Sequence, residues 1–182
     1  MSEFVRPALL GQRISNLKDT IAAIISSQQL RKQVAYTNVS EHAKGVLKRD
    51  LAEHSDFGEV DHVSFSFAED WMAINDDKNR SRSASGMVVL KNSFLFGLYL
   101  AALNDLKFAL PRFLVLDNIE DKGMVQERSW NFQRIIVAEC AKRQVPQQVI
   151  FTTSKIAPDL EASEYVIGRK YTREHRSLEV VG

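Results

Sequence analysis

The segment "MVVLKNSFLFGLYLAALNDL", residues 87 to 106, constrains the fold more than any other part of this chain. It is too long and too lightly charged for an exposed helix, so it predicts a largely buried helix that starts near Ser85–Gly86. No uninterrupted apolar run approaches the roughly 20 residues of a membrane span, and we expect no transmembrane segment. A chain of 182 residues, of which 45% are hydrophobic, is long enough to surround this helix with a core.

Strands and helices alternate after this segment. Apolar runs predict strands at 112–117 and 148–153, with a helix from about Gln126 to Arg143 between them. Upstream, Val63, Phe65 and Phe67 alternate with polar residues and predict a half-buried strand, with "WMAIN" as its hairpin partner. The predicted fold class is therefore α/β, with a parallel-sheet core entered from an antiparallel β piece.

The N-terminal part carries a helical pattern of a different kind. Its apolar residues recur at alternating spacings of four and three, as in the a/d seam of a coiled coil; they are Leu10, Ile14, Leu17, Ile21 and Ile24. The seam lapses at Gln28 and Arg31, and a second helical stretch follows up to Leu51. We interpret residues 1–55 as a helical arm, either the end of a coiled coil or a hairpin helix, and residues 56–182 as the α/β domain.

Composition restricts the setting and the partners. The single cysteine, Cys140, and an N-terminus without an apolar signal core favour the cytoplasm. A net charge of +1 argues against a generally basic nucleic-acid surface but leaves room for a local patch, such as the tail "GRKYTREHR". That tail belongs to a predicted C-terminal hairpin, and the polar run 76–86 is predicted to be a loop.

Two short motifs suggest a phosphate site. In "FLVLDNIEDKGM" an apolar strand ends at Asp117, where ligands gather in open α/β sheets, and a carboxylate there can hold magnesium directly or through its water. In "SASGM" the start of the long helix, at Ser85 and Gly86, offers backbone N–H groups to an anion. Each motif has an ordinary alternative, which is a capped turn for Asp117 and a helix-capping serine for Ser85.

Taken in order, these motifs resemble the C-terminal lobe of an SMC-like or RecN-like ABC-type ATPase head, and more closely a bacterial subset of it. "SASGM" stands at the signature-motif position, "FLVLDN" at Walker B, "IEDKGM" in the D-loop region and "VIFTTS" at the switch strand. The resemblance covers about residue 60 to residue 182. It implies ATP and Mg2+ as cofactors, Asp117 as the metal ligand, and nucleotide contacts by Ser83, Ser85, Gly86 and Ser154.

The chain departs from the pattern of that family at its reactive positions. Met87 follows Gly86 where a second glycine is usual, Asn118 replaces the glutamate that polarises the attacking water, and Ser154 replaces a phosphate-sensing histidine. A general base contributes about 10²–10⁴ to a rate, so hydrolysis should be slow unless Glu120 or Asp121 takes that role. The phosphate-cradling sequence G-x-x-x-x-G-K-[ST] does not occur in residues 1–182.

Two functions are consistent with these features. In the first, ATP held by a Walker A-bearing N-terminal lobe, or by a second chain, joins heads into a homo- or heterodimer, in a process such as DNA repair or defence and without a membrane partner. The arm would carry this closure to a distant partner, which could be DNA. In the second, the chain is a catalytically degenerate scaffold, or a truncated gene product without ATPase activity of its own.

Overall fold

The computed structural model describes residues 5–51, 57–78, 83–105, 107–120, 123–161, 164–168 and 171. Its elements in order are α1 (Val5–Leu47), β1 (Val63–Ser66), β2 (Trp71–Ile74), α2 (Ala84–Asn104), β3 (Phe113–Leu116), α3 (Gln126–Ala141), β4 (Gln148–Phe151) and the one-turn helix α4 (Pro158–Glu161). The strands form one antiparallel pair, β1–β2, and one parallel pair, β3–β4. The prediction of an α/β fold with a parallel sheet and a preceding antiparallel piece is confirmed at this level.

Helix α1 is continuous over 43 residues, so the prediction of two separate helical stretches is wrong. No proline or glycine lies between Gln28 and Val39 to end the helix. At Arg31 the helix meets the rest of the molecule: Arg31 forms an ion pair with Asp105, and its guanidinium carbon lies 5.7 Å from the ring centroid of Phe108. Beyond this point α1 packs into the core, whereas residues 9–30 are all exposed.

Helix α2 is the central element of the core, as its composition predicts. This helix is long and apolar enough to cross a membrane, and an 18-residue stretch of it has a mean hydropathy of 1.6. However, 61% of that stretch is buried inside the structure, as in the core helix of a soluble protein. It approaches α1 closely at Gly97, where a Cβ would lie 2.5 Å from the backbone nitrogen of Ala43. The glycine therefore allows the two helix backbones to touch.

The antiparallel hairpin is shorter than the sequence predicts. Val63 and Phe65 face the core, but β1 ends at Ser66 and Phe67 is 59% exposed. The chain turns after Ser66, and Asp70 adopts a left-handed backbone conformation with φ of 50° before β2 begins. The prediction that Phe67 continues the buried face is therefore wrong, because the turn ends the alternation one residue earlier.

The parallel pair is covered on one face only. Leu116 is buried, and Leu114, Val149 and Phe151 pack beside it against the cluster formed by α2 and α3. On the other face Phe113, Val115 and Ile150 are 45%, 52% and 44% exposed. The prediction of a buried strand at 112–117 is thus correct for one face, because the described part of the chain leaves the other face about half exposed. We call these three residues the open sheet face.

Two further predicted elements, the loop at 76–86 and the C-terminal hairpin, are described only in part. Helix α2 begins at Ala84, so the last residues of the predicted loop 76–86 are helical, while residues 79–82 lie outside the described residues. Most of the predicted C-terminal hairpin, including "TREH", also lies outside them.

Candidate functional site

Asp117 lies at the carboxyl end of the parallel pair, exposed to solvent. Its carboxylate accepts a 2.6 Å hydrogen bond from the hydroxyl of Thr152, the first residue after β4. The same hydroxyl accepts a 2.7 Å hydrogen bond from the backbone N–H of Asn118. One threonine therefore ties the two strand ends together and orients the carboxylate. The sequence did not single out Thr152, because a threonine after a strand is common and carries no distinctive spacing.

Asn118 serves as a turn residue. Its φ is 52°, a left-handed conformation that asparagine tolerates better than most residues other than glycine. The backbone N–H of the next residue, Ile119, then donates to the carbonyl of Thr152 at 3.3 Å. This tight turn places Glu120 at the end of β4 rather than further along the direction of β3.

Glu120 is held by three donors. Its carboxylate accepts hydrogen bonds from the hydroxyls of Ser129 at 3.1 Å and Thr153 at 2.5 Å, and from the backbone N–H of Ser154. Burial alone would raise the pKa of Glu120, but the hydrogen bonds from Ser154, Thr153 and Ser129 outweigh it and leave the pKa lowered. A carboxylate with a lowered pKa and engaged oxygens is a weak base, so these contacts favour a positioning role over general-base catalysis.

The lowered pKa of Glu120 predicts a pH dependence of stability. A carboxyl group with a depressed folded-state pKa stabilises the fold fully above its unfolded pKa, and this contribution is lost as the pH falls through the folded value. We expect the free energy of unfolding of wild type to fall more steeply below about pH 4.3 than that of Glu120→Gln. Urea denaturation at a series of pH values measures the difference, and identical slopes for the two proteins would contradict it.

A buried glutamine fixes the segment that follows β4. Gln133, on α3, is fully buried; its amide nitrogen donates to the carbonyl of Lys155 at 3.0 Å, and its amide oxygen accepts from the N–H of Ala157 at 2.8 Å. It also contacts the hydroxyls of Ser129 and Thr153. Asp117, Glu120 and Ser154 lie at one edge of the sheet, where the backbone N–H of Ser154 donates to the carboxylate of Glu120.

The signature-like segment starts α2 with a serine cap. Ser83 is the N-cap, and its hydroxyl accepts from the backbone N–H of Gly86 at 3.0 Å, so the capping serine is not Ser85. The donor of Gly86 is thereby used inside the protein, and a phosphate that approached Gly86 would have to displace Ser83. Ser85 is half-buried, and its hydroxyl accepts a 3.1 Å hydrogen bond from Arg128.

Arg128 is the most deeply buried charged residue of this region. It lies in the first turn of α3 with an exposed fraction of 1%, and its Nε donates to both oxygens of Asp50 at 2.9 and 3.0 Å. The guanidinium carbon also lies 5.5 Å from the ring centroid of Phe57. Through Asp50, Ser85 and its own helix, Arg128 joins the segment after α1 to the starts of α2 and α3.

A cleft of about 680 Å³ leads from the antiparallel hairpin to the end of β3. Its lining is largely aromatic and apolar, with Lys91 and Asn92 from α2 and Asp117 and Asn118 at one end. Val115 of the open sheet face contributes to the same cleft. The exposed carboxylate thus lies at the rim of an apolar surface, which is the usual composition of a ligand or docking site.

Within the described ranges, no group of three or more His, Cys, Asp or Glu residues is placed to hold a metal ion. Asp117 offers a single exposed carboxylate at this edge, and one of its oxygens already accepts the hydrogen bond from Thr152. No protein-family model matches the sequence, and comparison with the curated proteins gives no significant match.

Proposed function

We propose that this chain is one lobe of an ABC-type head and engages ATP that a Walker A-bearing lobe holds. Asp117 faces the magnesium of that nucleotide, and the start of α2 at Ser83, Ser85 and Gly86 faces the phosphates of an opposing head. The open sheet face is the observation that carries the proposal. We assign the lobe to residues 56–182 and the helical arm to residues 1–55, of which the part beyond Arg31 packs on the lobe, in the cytoplasm.

Parallel sheets occur almost only where layers cover both faces. Here the face made by Phe113, Val115 and Ile150 is exposed over roughly half of each side chain, although all three residues are apolar. Contiguous exposed apolar residues mark interaction sites. A second lobe that covers this face would also approach the strand ends, where Asp117 lies, and ligands of open α/β sheets bind at that edge.

The residues at the edge fit a magnesium–phosphate ligand carried by a second lobe. Magnesium keeps several waters and is bound by one or two carboxylates together with substrate phosphates, which suits the single exposed carboxylate of Asp117. The bound ion offsets the charge of the phosphates, so that one ligand can join two surfaces. Occupancy by ATP then stabilises the joined state by mass action.

Hydrolysis in this proposal is slow. Asn118 carries an amide in place of a proton-accepting carboxylate, and the oxygens of Glu120 are engaged by Ser129, Thr153 and Ser154. Nucleotide therefore acts mainly as a link between lobes. The DNA-related process remains the one that the family resemblance implies.

A non-enzymatic scaffold is the second candidate, and the hydrogen bond between Ser83 and Gly86 favours it. The cap already satisfies an N–H that a phosphate would need. In that case the open sheet face binds a partner lobe whether or not ATP is present.

Titration of Mg2+-ATP into the chain mixed with a P-loop lobe from a neighbouring reading frame distinguishes the two. We expect binding to require both proteins, and Asp117→Asn to weaken it by about 10- to 100-fold, the effect of losing a hydrogen bond or ligand contact to a charged group. Asp159→Asn is the matched control, because Asp159 is an exposed carboxylate paired with Arg134. Equal affinities for wild type and Asp117→Asn, or association indifferent to ATP, would favour the scaffold.

A further inference from the structure

The first part of α1 projects from the molecule with its seam uncovered. Residues 9–30 are all exposed, and the a/d residues are between 51% and 58% exposed. We define the arm seam as Leu10, Ile14, Leu17, Ile21 and Ile24. An apolar line with alternating spacings of four and three is the narrow seam of a coiled coil, whose knobs insert into holes of a facing helix. Its natural occupant is therefore another helix.

The residues beside the seam specify the charge of that helix. With Ile14 and Ile21 at a positions, Arg13 occupies a g position and Lys18 an e position. The other e and g positions beside the seam are uncharged; they are Gly11, Thr20, Ile25 and Ser27. Asp19 is the only acidic residue in the sequence from 9 to 30, and it occupies an f position, away from the seam. Both charged flanking positions are thus basic.

We propose that the arm seam binds a helix whose own apolar seam is flanked by acidic residues, and that it rejects a second copy of this arm. In a parallel pair of identical arms, Arg13 of each copy would face Lys18 of the other. In an antiparallel pair with Ile21 opposite Leu17, two Lys18 side chains would face each other. Neither arrangement provides an acidic partner, and like charges at these positions oppose pairing.

The seam also indicates where the partner helix ends. Gln28 occupies the a position after Ile24, and a single polar a residue fixes the register of a coiled coil. Three residues later Arg31 forms its ion pair with Asp105, so the next d position is already used inside the molecule. The partner helix therefore lies along Leu10 to Gln28, about 27 Å at 1.5 Å per residue, with a polar residue opposite Gln28. This proposal does not depend on ATP binding.

The test uses the full chain and two synthetic helical peptides. Both peptides carry the same isoleucine and leucine residues at a and d, while every e and g position is glutamate in one and lysine in the other. Fluorescence anisotropy at low salt should show the glutamate peptide binding at least about tenfold more tightly, because attraction replaces repulsion at both flanks. Arg13→Glu combined with Lys18→Glu should reverse the preference, whereas Asp19→Asn should leave it unchanged.

Two further measurements exclude other occupants. Sedimentation should show that wild type mixed with the Arg13→Glu/Lys18→Glu variant associates more strongly than either protein alone. Ile14→Ser combined with Ile21→Ser should abolish peptide binding while the circular dichroism of the chain is retained. Equal binding of the two peptides, or wild-type self-association that requires the seam but ignores the charge reversal, would overturn the proposal. So would tighter seam-dependent binding to phosphatidylserine vesicles than to the glutamate peptide.

Discussion

Replacement of Arg128 by alanine should lower the free energy of unfolding by about 3–5 kcal/mol. The carboxylate of Asp50, whose side chain is 6% exposed, would then remain buried without the guanidinium that now donates to both of its oxygens. The hydroxyl of Ser85 would also lose the hydrogen bond from Arg128. Urea denaturation of the variant at neutral pH measures the effect, with the denaturant slope as a check that unfolding remains two-state.

The chain offers a matched control in Arg134 and Asp159. The guanidinium of Arg134 lies 2.6 Å from the carboxylate of Asp159, so the two charges are paired as they are in Arg128 and Asp50. The side chains are 46% and 53% exposed, however, so Arg134→Ala should lower the free energy of unfolding by about 1 kcal/mol or less. The double variant Arg128→Met with Asp50→Leu should recover much of the loss, because it removes both buried charges. Similar costs for Arg128→Ala and Arg134→Ala would show that the buried pair does not hold these segments together.

Substitution of Gly97 by alanine should also destabilise the protein strongly, by about 1–3 kcal/mol or more. The new Cβ would lie 2.5, 2.7 and 2.9 Å from the nitrogen, Cα and Cβ of Ala43, and two of these atoms are backbone. The helices α1 and α2 would have to separate, which would loosen the core they share. Thermal and urea denaturation measure the loss.

Gly45 is the control for this substitution because it lies in α1 and an added Cβ would have no neighbouring atom within 4 Å. Gly45→Ala should stabilise the protein by about 0.5–1 kcal/mol, the gain in helix propensity. Ala43→Gly should rescue Gly97→Ala only in part, because the backbone contacts remain. If Gly97→Ala is as stable as wild type, α1 and α2 do not approach as closely as described.

The core helix and the parallel pair could be predicted because their signals are local. The composition of residues 87–106 predicts a helix that is covered on most sides, and the apolar runs 113–116 and 148–151 predict strands without knowledge of their partners. The open sheet face could not be predicted in the same way. A run such as "FLVL" has the same sequence whether its two faces are covered within the chain or by another one.

Long-range polar contacts were beyond sequence reasoning. Arg128 and Gln133 occupy an amphipathic helix, where polar residues are normally solvated, and the partner of Arg128 lies 78 residues away. Within the candidate site, the position of Asp117 at a strand end was predicted, whereas its partner Thr152 was not. The capping role of Ser83 was obscured by Ser85, since either serine suits a helix start.

The most direct test of the central proposal is the association of this chain with a Walker A-bearing lobe after a charge is placed on the open sheet face. We predict that Val115→Asp abolishes association, measured by analytical ultracentrifugation, because an unpaired carboxylate would be buried in the interface. Leu110→Asp should leave the association intact. Leu110 is 43% exposed, close to the 52% of Val115, but it lies before β3 and outside the open sheet face. Undiminished association of Val115→Asp would contradict the assignment of this face as the contact between lobes.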